Sequence, residues 1–363
     1  MSDLLPVGKL PPHLLVPLLA RYAPPAPGVV VGPGLGLDAA VVEMGDRLLV
    51  AKSDPITFAT DEIGWYAVHV NANDIAALGA APRWFLATLL LPEVATTAAL
   101  VEALLAQIAA ACAEVGAALV GGHTEISHGL DRPIIVGTML GETTRERLVT
   151  AGGAQVGDAV LLTKSVGLEG TALVAREKAD ALGDLPPDLL ARARDFLHDP
   201  GISIVRDAAI ATGHGRVRAM HDPTEGGVAT GIHEMAAAAG VGFEIDADAL
   251  PVAPETRALC ARFSLDPLGL ISSGALLATV AQEDAATVIA ALGAAGIAAA
   301  QIGRVTPAGA GVRLCRGGRC APSPTFACDE LAPPVQTLRS ADWRTSTRRW
   351  PAGGGVPTPP PAR

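Results

Sequence analysis

Two hydrophobic periods alternate along this chain, and that alternation constrains the fold more than composition does. Val29 to Val31, Ala39 to Met44, Leu48 to Ser53, Leu86 to Leu91, Ala117 to Val120 and Ile134 to Gly141 are short apolar or β-branched runs that read as strands. Between them Trp65 to Gly79 reads as a helix. From Thr97 to Val115, Leu100, Leu104, Ile108, Ala111 and Val115 recur at helical spacing. Ala151-Gly152-Gly153 breaks the pattern, and a second set follows. It comprises an apolar run from Asp158 to Lys164, helices around Glu169 to Lys178 and Gly226 to Ala239, and strands over Phe243 to Asp246 and Ala275 to Val280. The order predicts an α+β chain with one domain over residues 1–150 and another over 151–314. Half of the 363 residues are hydrophobic, enough for a large core.

Beyond Leu314 the composition changes to Cys-Arg-Gly-Gly-Arg-Cys, scattered Pro, Arg and Ser, and a run of Gly and Pro. Residues 315–363 are therefore expected to be a largely disordered tail. The five cysteines, at 112, 260, 315, 320 and 328, lack the dense framework of a small secreted domain, and reduced thiols are expected. The net charge of -10 argues against nucleic acid or an anionic membrane surface as partner, because both demand a basic face. The alanine-rich stretches are broken by charges, Gly or Pro before about 18 consecutive strongly apolar residues, so no membrane span is read. With no leader-like N-terminus, the expected location is the cytoplasm. An acidic protein that binds a polyphosphate needs local neutralisation, usually magnesium on a few carboxylates.

Several segments carry such chemistry. Gly32-Pro33-Gly34-Leu35-Gly36 either turns the chain or lets backbone approach phosphate beside Asp38. Asp54 ends an apolar strand in Lys52-Ser53-Asp54-Pro55, as a turn residue or as an acid offered to a ligand. In Asn71-Ala72-Asn73-Asp74, Asn71 and Asp74 are three apart and share a helix face, and neither Lys nor Glu occurs between Gly64 and Arg83. Those polar groups thus need partners other than solvent. Gly121-Gly122-His123-Thr124-Glu125 closes an apolar strand with groups suited to a metal, a phosphate or an ordinary hydrogen bond. Lys164 stands at a strand-to-helix turn where it can meet phosphate. Asp222-Pro223-Thr224-Glu225-Gly226 opens a helix whose N–H groups suit an anion or a cap.

Taken in order, Leu37-Asp38-Ala39-Ala40-Val41, Ser53-Asp54, Asn73-Asp74-Ile75-Ala76-Ala77-Leu78-Gly79-Ala80, Gly121-Gly122-His123-Thr124, Asp158 to Lys164 and Asp222 to Ala229 resemble the superfamily of AIR synthetase, thiamine-monophosphate kinase, selenophosphate synthetase and HypE. The wording is nearest the HypE-like hydrogenase maturation branch. The resemblance spans about residues 1–314 by domain-scale reading. It implies an N-terminal domain whose strands join those of a second subunit in a shared barrel, a C-terminal α+β domain closing the cleft, and a homodimer with ATP at the boundary. It also implies phosphoryl transfer from ATP to a carbonyl or amide oxygen of a small or peptide-borne acceptor, with magnesium on Asp38, Asp54 and Asp74. Gly32, Gly34, Gly36, Asn71, Asn73, Gly121, Gly122, His123, Lys164 and Asp222 map to cofactor-binding positions. No catalytic residue is assigned, and a maturation protein is an implied partner.

The departures are specific. Leu37 replaces the first of two adjacent acids found in the kinases, Glu225 stands where HypE commonly has Arg, and Ser273 replaces the acid of Ser-Glu-Gly. HypE ends in a cysteine that is carbamoylated and then dehydrated, whereas this sequence ends Pro359-Pro360-Pro361-Ala362-Arg363. A small-molecule kinase and a non-catalytic nucleotide-binding paralogue are the competing readings. Selenophosphate synthesis is disfavoured, because the first cysteine is Cys112 and no cysteine-bearing loop precedes the glycines.

Overall fold

The computed structural model describes residue 5 and residues 10–331 except 35, 58, 60, 327 and 328. The N-terminal part runs α1 (Pro12–Tyr22), β1 (Val29–Val31), β2 (Ala40–Met44), β3 (Arg47–Ile56) and α2 (Ile63–Ala77). It continues through β4 (Ala81–Pro92), α3 (Ala98–Val115), β5 (Ala118–Ser127) and β6 (Ile134–Thr143). Its six strands form one sheet in the order β1-β2-β3-β6-β4-β5. The C-terminal part opens with β7 (Ala159–Thr163), α4 (Leu168–Glu177), α5 (Pro187–Asp195), α6 (Val205–His214), β8 (Val217–His221), α7 (Gly227–Ala239) and β9 (Gly242–Asp246). It closes with α8 (Pro254–Phe263), β10 (Leu277–Val280), α9 (Ala285–Ala294), β11 (Ala299–Thr306), β12 (Val312–Arg316) and β13 (Arg319–Pro322). These seven strands pair in the order β13-β12-β9-β11-β7-β10-β8.

Helix α2 is the axle between the two parts. Every residue of it except Trp65 is buried, which explains why Lys and Glu are missing from this stretch. It packs on β3, β6 and α3 in its own domain and on α6 and β8 of the other. Its polar side chains therefore find partners on both sides. Asn73 Nδ2 donates to the Ile202 carbonyl at 2.8 Å, and the Ile204 N–H donates to Asn73 Oδ1 at 2.9 Å. One amide thus clamps the C-terminal domain onto α2. Asn73→Ala strands a buried carbonyl and a buried N–H, so urea unfolding should show a loss of about 2–4 kcal/mol. A change within about 0.5 kcal/mol, the range of a neutral surface substitution, would remove Asn73 from this role.

Helix α3 is an 18-residue helix of mean hydropathy 1.7, long and apolar enough to cross a bilayer. Its inner face is committed to the core instead, through Leu100, Leu104, Ile108, Ala111, Cys112 and Val115. Close approach to α2 is set at Gly64, where a Cβ would lie 2.9 Å from the Leu104 carbonyl. Thr97 caps the start of α3, its side chain accepting from the Leu100 N–H.

Two expectations are corrected at the C-terminal end. Residues 315–326 and 329–331 are not a disordered tail. Strand β12 adds in parallel to β9, β13 folds back on β12, and Gly317 and Gly318 turn between them with φ 53° and 79°. Two positive φ values in a two-residue loop suit the turn that matches the twist of a hairpin. Cys315 and Cys320 face each other across that hairpin and form a disulfide, where reduced thiols were expected. Cys112 and Cys260 are free and buried. Cys328 and residues 332–363 lie outside the described residues.

Candidate metal and nucleotide site

Three carboxylates converge where the domains meet. Asp38 enters at the start of β2, Asp74 projects from α2, and Asp222 follows β8. One oxygen of each lies within 4.8 Å of the others, and all three residues are buried or nearly so. Asp222 is 1% exposed, and neither of its oxygens has a protein partner. Burial, with Asp74 and Asp38 beside it, raises its pKa well above the usual carboxylate range. Asp74 is pushed up to about 7, by burial first, against the opposing pull of Lys52.

Lys52 Nζ stands 3.1 Å from Asp74 and 3.2 Å from Asp54. Burial works against its charge, yet Asp74 and Asp54 keep the ammonium protonated far above its ordinary range. His221 bridges the other side, with Nδ1 2.8 Å from Asp38 and Nε2 2.9 Å from Glu234. It too holds its proton, the two carboxylates outweighing burial. Asp38, Asp54, Asp74, Asp222 and Glu234 thus face two cations, and a divalent ion would take the place of the protons that burial favours on Asp74 and Asp222. An all-oxygen donor set with an orphaned buried carboxylate suits a hard cation such as magnesium.

Asp54 therefore is not one of the three grouped acids. Its side chain is 37% exposed and reaches the trio through Lys52, while Asp222 supplies the third carboxylate. Asn71 and Asn73 are fully buried, and their amides are used on backbone groups. Asn71 accepts from the Asp54 N–H at 2.8 Å and donates to the Ala67 carbonyl at 2.8 Å, fixing β3 against α2. Lys164 is likewise occupied. Its Nζ donates to the Ser203 and Gly274 carbonyls and lies 3.3 Å from Asp207, with only 5% of the side chain exposed. It lines a cavity of about 530 Å³ with Arg192 and Arg206, to which no aspartate of the trio contributes.

Gly121, Gly122 and His123 continue β5 instead of forming a loop. The register runs Asp54, Gly137, Ala87, Gly122 across four strands, so roughly 14 Å separates this segment from Asp54. Gly122, at φ 143°, has a packing reason for lacking a side chain: a Cβ would meet the Ala87 carbonyl at 1.9 Å. Exposed His123 pairs with Glu125 in its own strand at 3.2 Å. Gly32, Gly34 and Gly36 do form a loop. Gly36, at φ 67°, passes so close to α7 that a Cβ would lie 3.2 Å from Glu234, which brings the loop beside the His221 bridge.

Lys52, His221 and Glu234 were not singled out from sequence. Lys52 had a signal, since it precedes Asp54 by two and shares its strand face. Glu234 had none, because its place depends on how α7 docks.

A second group of buried polar atoms lies at the start of α4. Glu169 Oε2 and the Tyr66 hydroxyl are buried without protein partners. Burial pushes the Glu169 pKa up to about 7, with Ser273 opposing and Asp329 and Glu225 adding to it. The folded chain then retains a proton between about pH 4.5 and 7 that the unfolded chain has released, so stability falls as pH rises through that window. Glu169→Gln removes the penalty. It should be more stable than the parent at pH 8, by on the order of 3 kcal/mol relative to its difference at pH 4. Parallel urea midpoints at the two pH values would remove Glu169 as the titrating group.

Comparison with known proteins follows the same two-domain division. The N-terminal domain of AIR synthase related protein matches residues 36–143, and the C-terminal domain matches residues 155–315. The chain belongs to this family. It is 35% identical over 256 residues to the carbamoyl dehydratase HypE of Rhizobium leguminosarum bv. viciae, covering 69% of this chain and 70% of that one. The crystal structure of the hydrogenase maturation protein HypE in complex with ATP superposes with a TM-score of 0.66 at 25% identity, over 86% of this chain and 91% of that one. AaThiL complexed with AMPPCP and TMP shares the fold, with a TM-score of 0.69 at 22% identity over 90% and 99% of the two chains. The AIR synthase related chain is thus an α+β protein whose trio spans both family domains.

Proposed function

We propose that this chain is an ATP- and magnesium-dependent enzyme that activates a carbonyl or amide oxygen of an acceptor by phosphoryl transfer, in a maturation role akin to that of HypE. The observation that carries the reading is Asp222, a buried carboxylate with no protein partner, facing Asp38 and Asp74 across the domain boundary. Those three residues would hold magnesium, which neutralises polyphosphate charge and draws electron density from the transferred group. Lys52 ties Asp54 to Asp74, and His221, gripped by Glu234, holds Asp38. The glycine loop at 32–36 can bring backbone N–H groups to a phosphate without side-chain obstruction. Phosphorylation of the acceptor oxygen converts it into a leaving group, after which a nucleophile adds or water is lost as phosphate.

The proposed assembly is a homodimer through the N-terminal sheet. Edge strand β5 is exposed along nearly its whole length, with Leu119 at 40%, Val120 at 54% and Ile126 at 59%, an apolar surface that pairing with a second copy would cover. Light scattering at micromolar concentration should report twice the chain mass, and a monomer would sink this part. For the reaction, ADP release should require magnesium, rise with a carbamoyl or amide acceptor, and vanish in Asp74→Asn. A stable phosphorylated acceptor would instead identify a small-molecule kinase. Tight ATP binding with no ADP from any acceptor would identify a non-catalytic paralogue.

A further inference from the structure

The outer face of the C-terminal sheet carries a donor set of a different chemistry. On β9, Phe243 and Ile245 point into the core, so Glu244 lies on the opposite face. Strand β12 pairs with β9 so that Arg313 is opposite Glu244 and Cys315 is opposite Asp246, and β13 places Cys320 opposite Cys315. Glu244, Cys315 and Cys320 are all half-buried, and one ligand atom of each lies within 4.8 Å of the others. A zinc-class ion bonds sulfur at about 2.3 Å and carboxylate oxygen at about 2.0–2.2 Å, which sets its ligand atoms some 3.5 Å apart. Reduction frees the two sulfurs, now bonded to each other, to move apart toward that spacing.

We propose that Glu244, Cys315 and Cys320 form a binding site for a thiophilic divalent cation of the zinc class, opened when the Cys315–Cys320 disulfide is reduced. The step balances with an external thiol or phosphine reductant. The S–S bond accepts two electrons and two protons, the reductant is oxidised, and the metal then displaces both thiol protons to solvent. Two thiolates and a carboxylate exceed the charge of one divalent ion, and neighbouring cations take up the surplus. Arg304 stands 2.8 Å from Glu244, Arg313 donates to the Cys320 carbonyl at 3.0 Å, and Arg316 and Arg319 flank the turn. Sulfur donors select zinc or cobalt, where the oxygen-only aspartate trio selects magnesium, so the chain holds two sites that discriminate by softness. Three protein ligands leave a fourth position open on the solvent side, as in zinc sites that bind or transfer a ligand.

The test uses the full chain, reduced anaerobically with a phosphine, freed of reductant and titrated with cobalt(II). A thiolate-to-cobalt charge-transfer band in the near ultraviolet, displaced by zinc, is expected at one metal per chain. An oxygen-ligated ion at the trio produces no such band. Cys315→Ser and Cys320→Ser should each abolish it, Cys328→Ser should leave it, and Glu244→Gln should keep the band while weakening affinity by roughly tenfold or more. A disulfide that survives reduction, a reduced chain with no charge-transfer band, or a band that persists in both the Cys315 and Cys320 variants would overturn the proposal.

Discussion

Asp222→Asn is expected to abolish the stabilisation of this protein by magnesium and ATP while making the ligand-free chain more stable. Both effects come from one fact, that a carboxylate is held 1% exposed with neither oxygen paired. An unsatisfied buried polar group costs about 1–3 kcal/mol, more if charged, and the neutral amide of similar size relieves the repulsion from Asp74 and Asp38. The free variant should therefore gain about 1 kcal/mol in urea unfolding. With ligand at about 100 times its dissociation constant, the parent should gain roughly 2.7 kcal/mol by mass action and the variant almost nothing. Asp54→Asn should do less, because Asp54 is 37% exposed and acts on the trio through Lys52. Calorimetry that found parental nucleotide affinity in Asp222→Asn, with loss in Asp54→Asn, would move the metal away from the trio.

The ranking of those two aspartates shows what sequence can and cannot deliver. Asp38, Asp54, Asp74 and Asp222 were all legible, three of them because they flank or end apolar strands or open a helix, and Asp74 because it shares a face with Asn71 on a helix without Lys or Glu. Which three meet was not legible, since that depends on β8 lying against α2, a contact between domains. Asn71 and Asn73 illustrate the same limit. Their need for partners could be read from a helix without Lys or Glu, yet the partners are backbone groups at Asp54 and at residues 202 and 204, distant in sequence. The pair Gly121-Gly122 misled for a local reason. Two glycines usually end a strand, but here a register shift between β4 and β5 brings Gly122 against the Ala87 backbone, and the strand runs on to Ser127.

The segment after Leu314 gives the second large effect, and it reverses the expectation drawn from composition. A chain ended at Leu314 should be destabilised by roughly 4 kcal/mol or more against a control that ends at Leu331, with a lower urea midpoint and faster proteolysis of the C-terminal domain. Several losses add up. Leu331 is 6% exposed in a core with Leu173, Val174, Phe263 and Leu265, and burying one such side chain contributes about 1.5–3 kcal/mol. Asp329 accepts from the Gly226 N–H at 2.9 Å, capping α7, a contact of about 1 kcal/mol. Glu330 accepts from the Asp266 N–H, its own N–H donates to the Gly269 carbonyl, and the Phe326 ring rests on Gly269. Removing β13 also leaves what remains of β12 as a bare sheet edge beside β9. Periodicity could not reveal these contacts, because they come from single residues docking on loops of an already folded domain. The Gly317-Gly318 turn was the one readable sign, two glycines between Cys and Arg pairs marking a hairpin. If the two truncated chains unfold at the same urea concentration, the docked segment is an ornament of the fold, and Asp329 and Leu331 have no structural role.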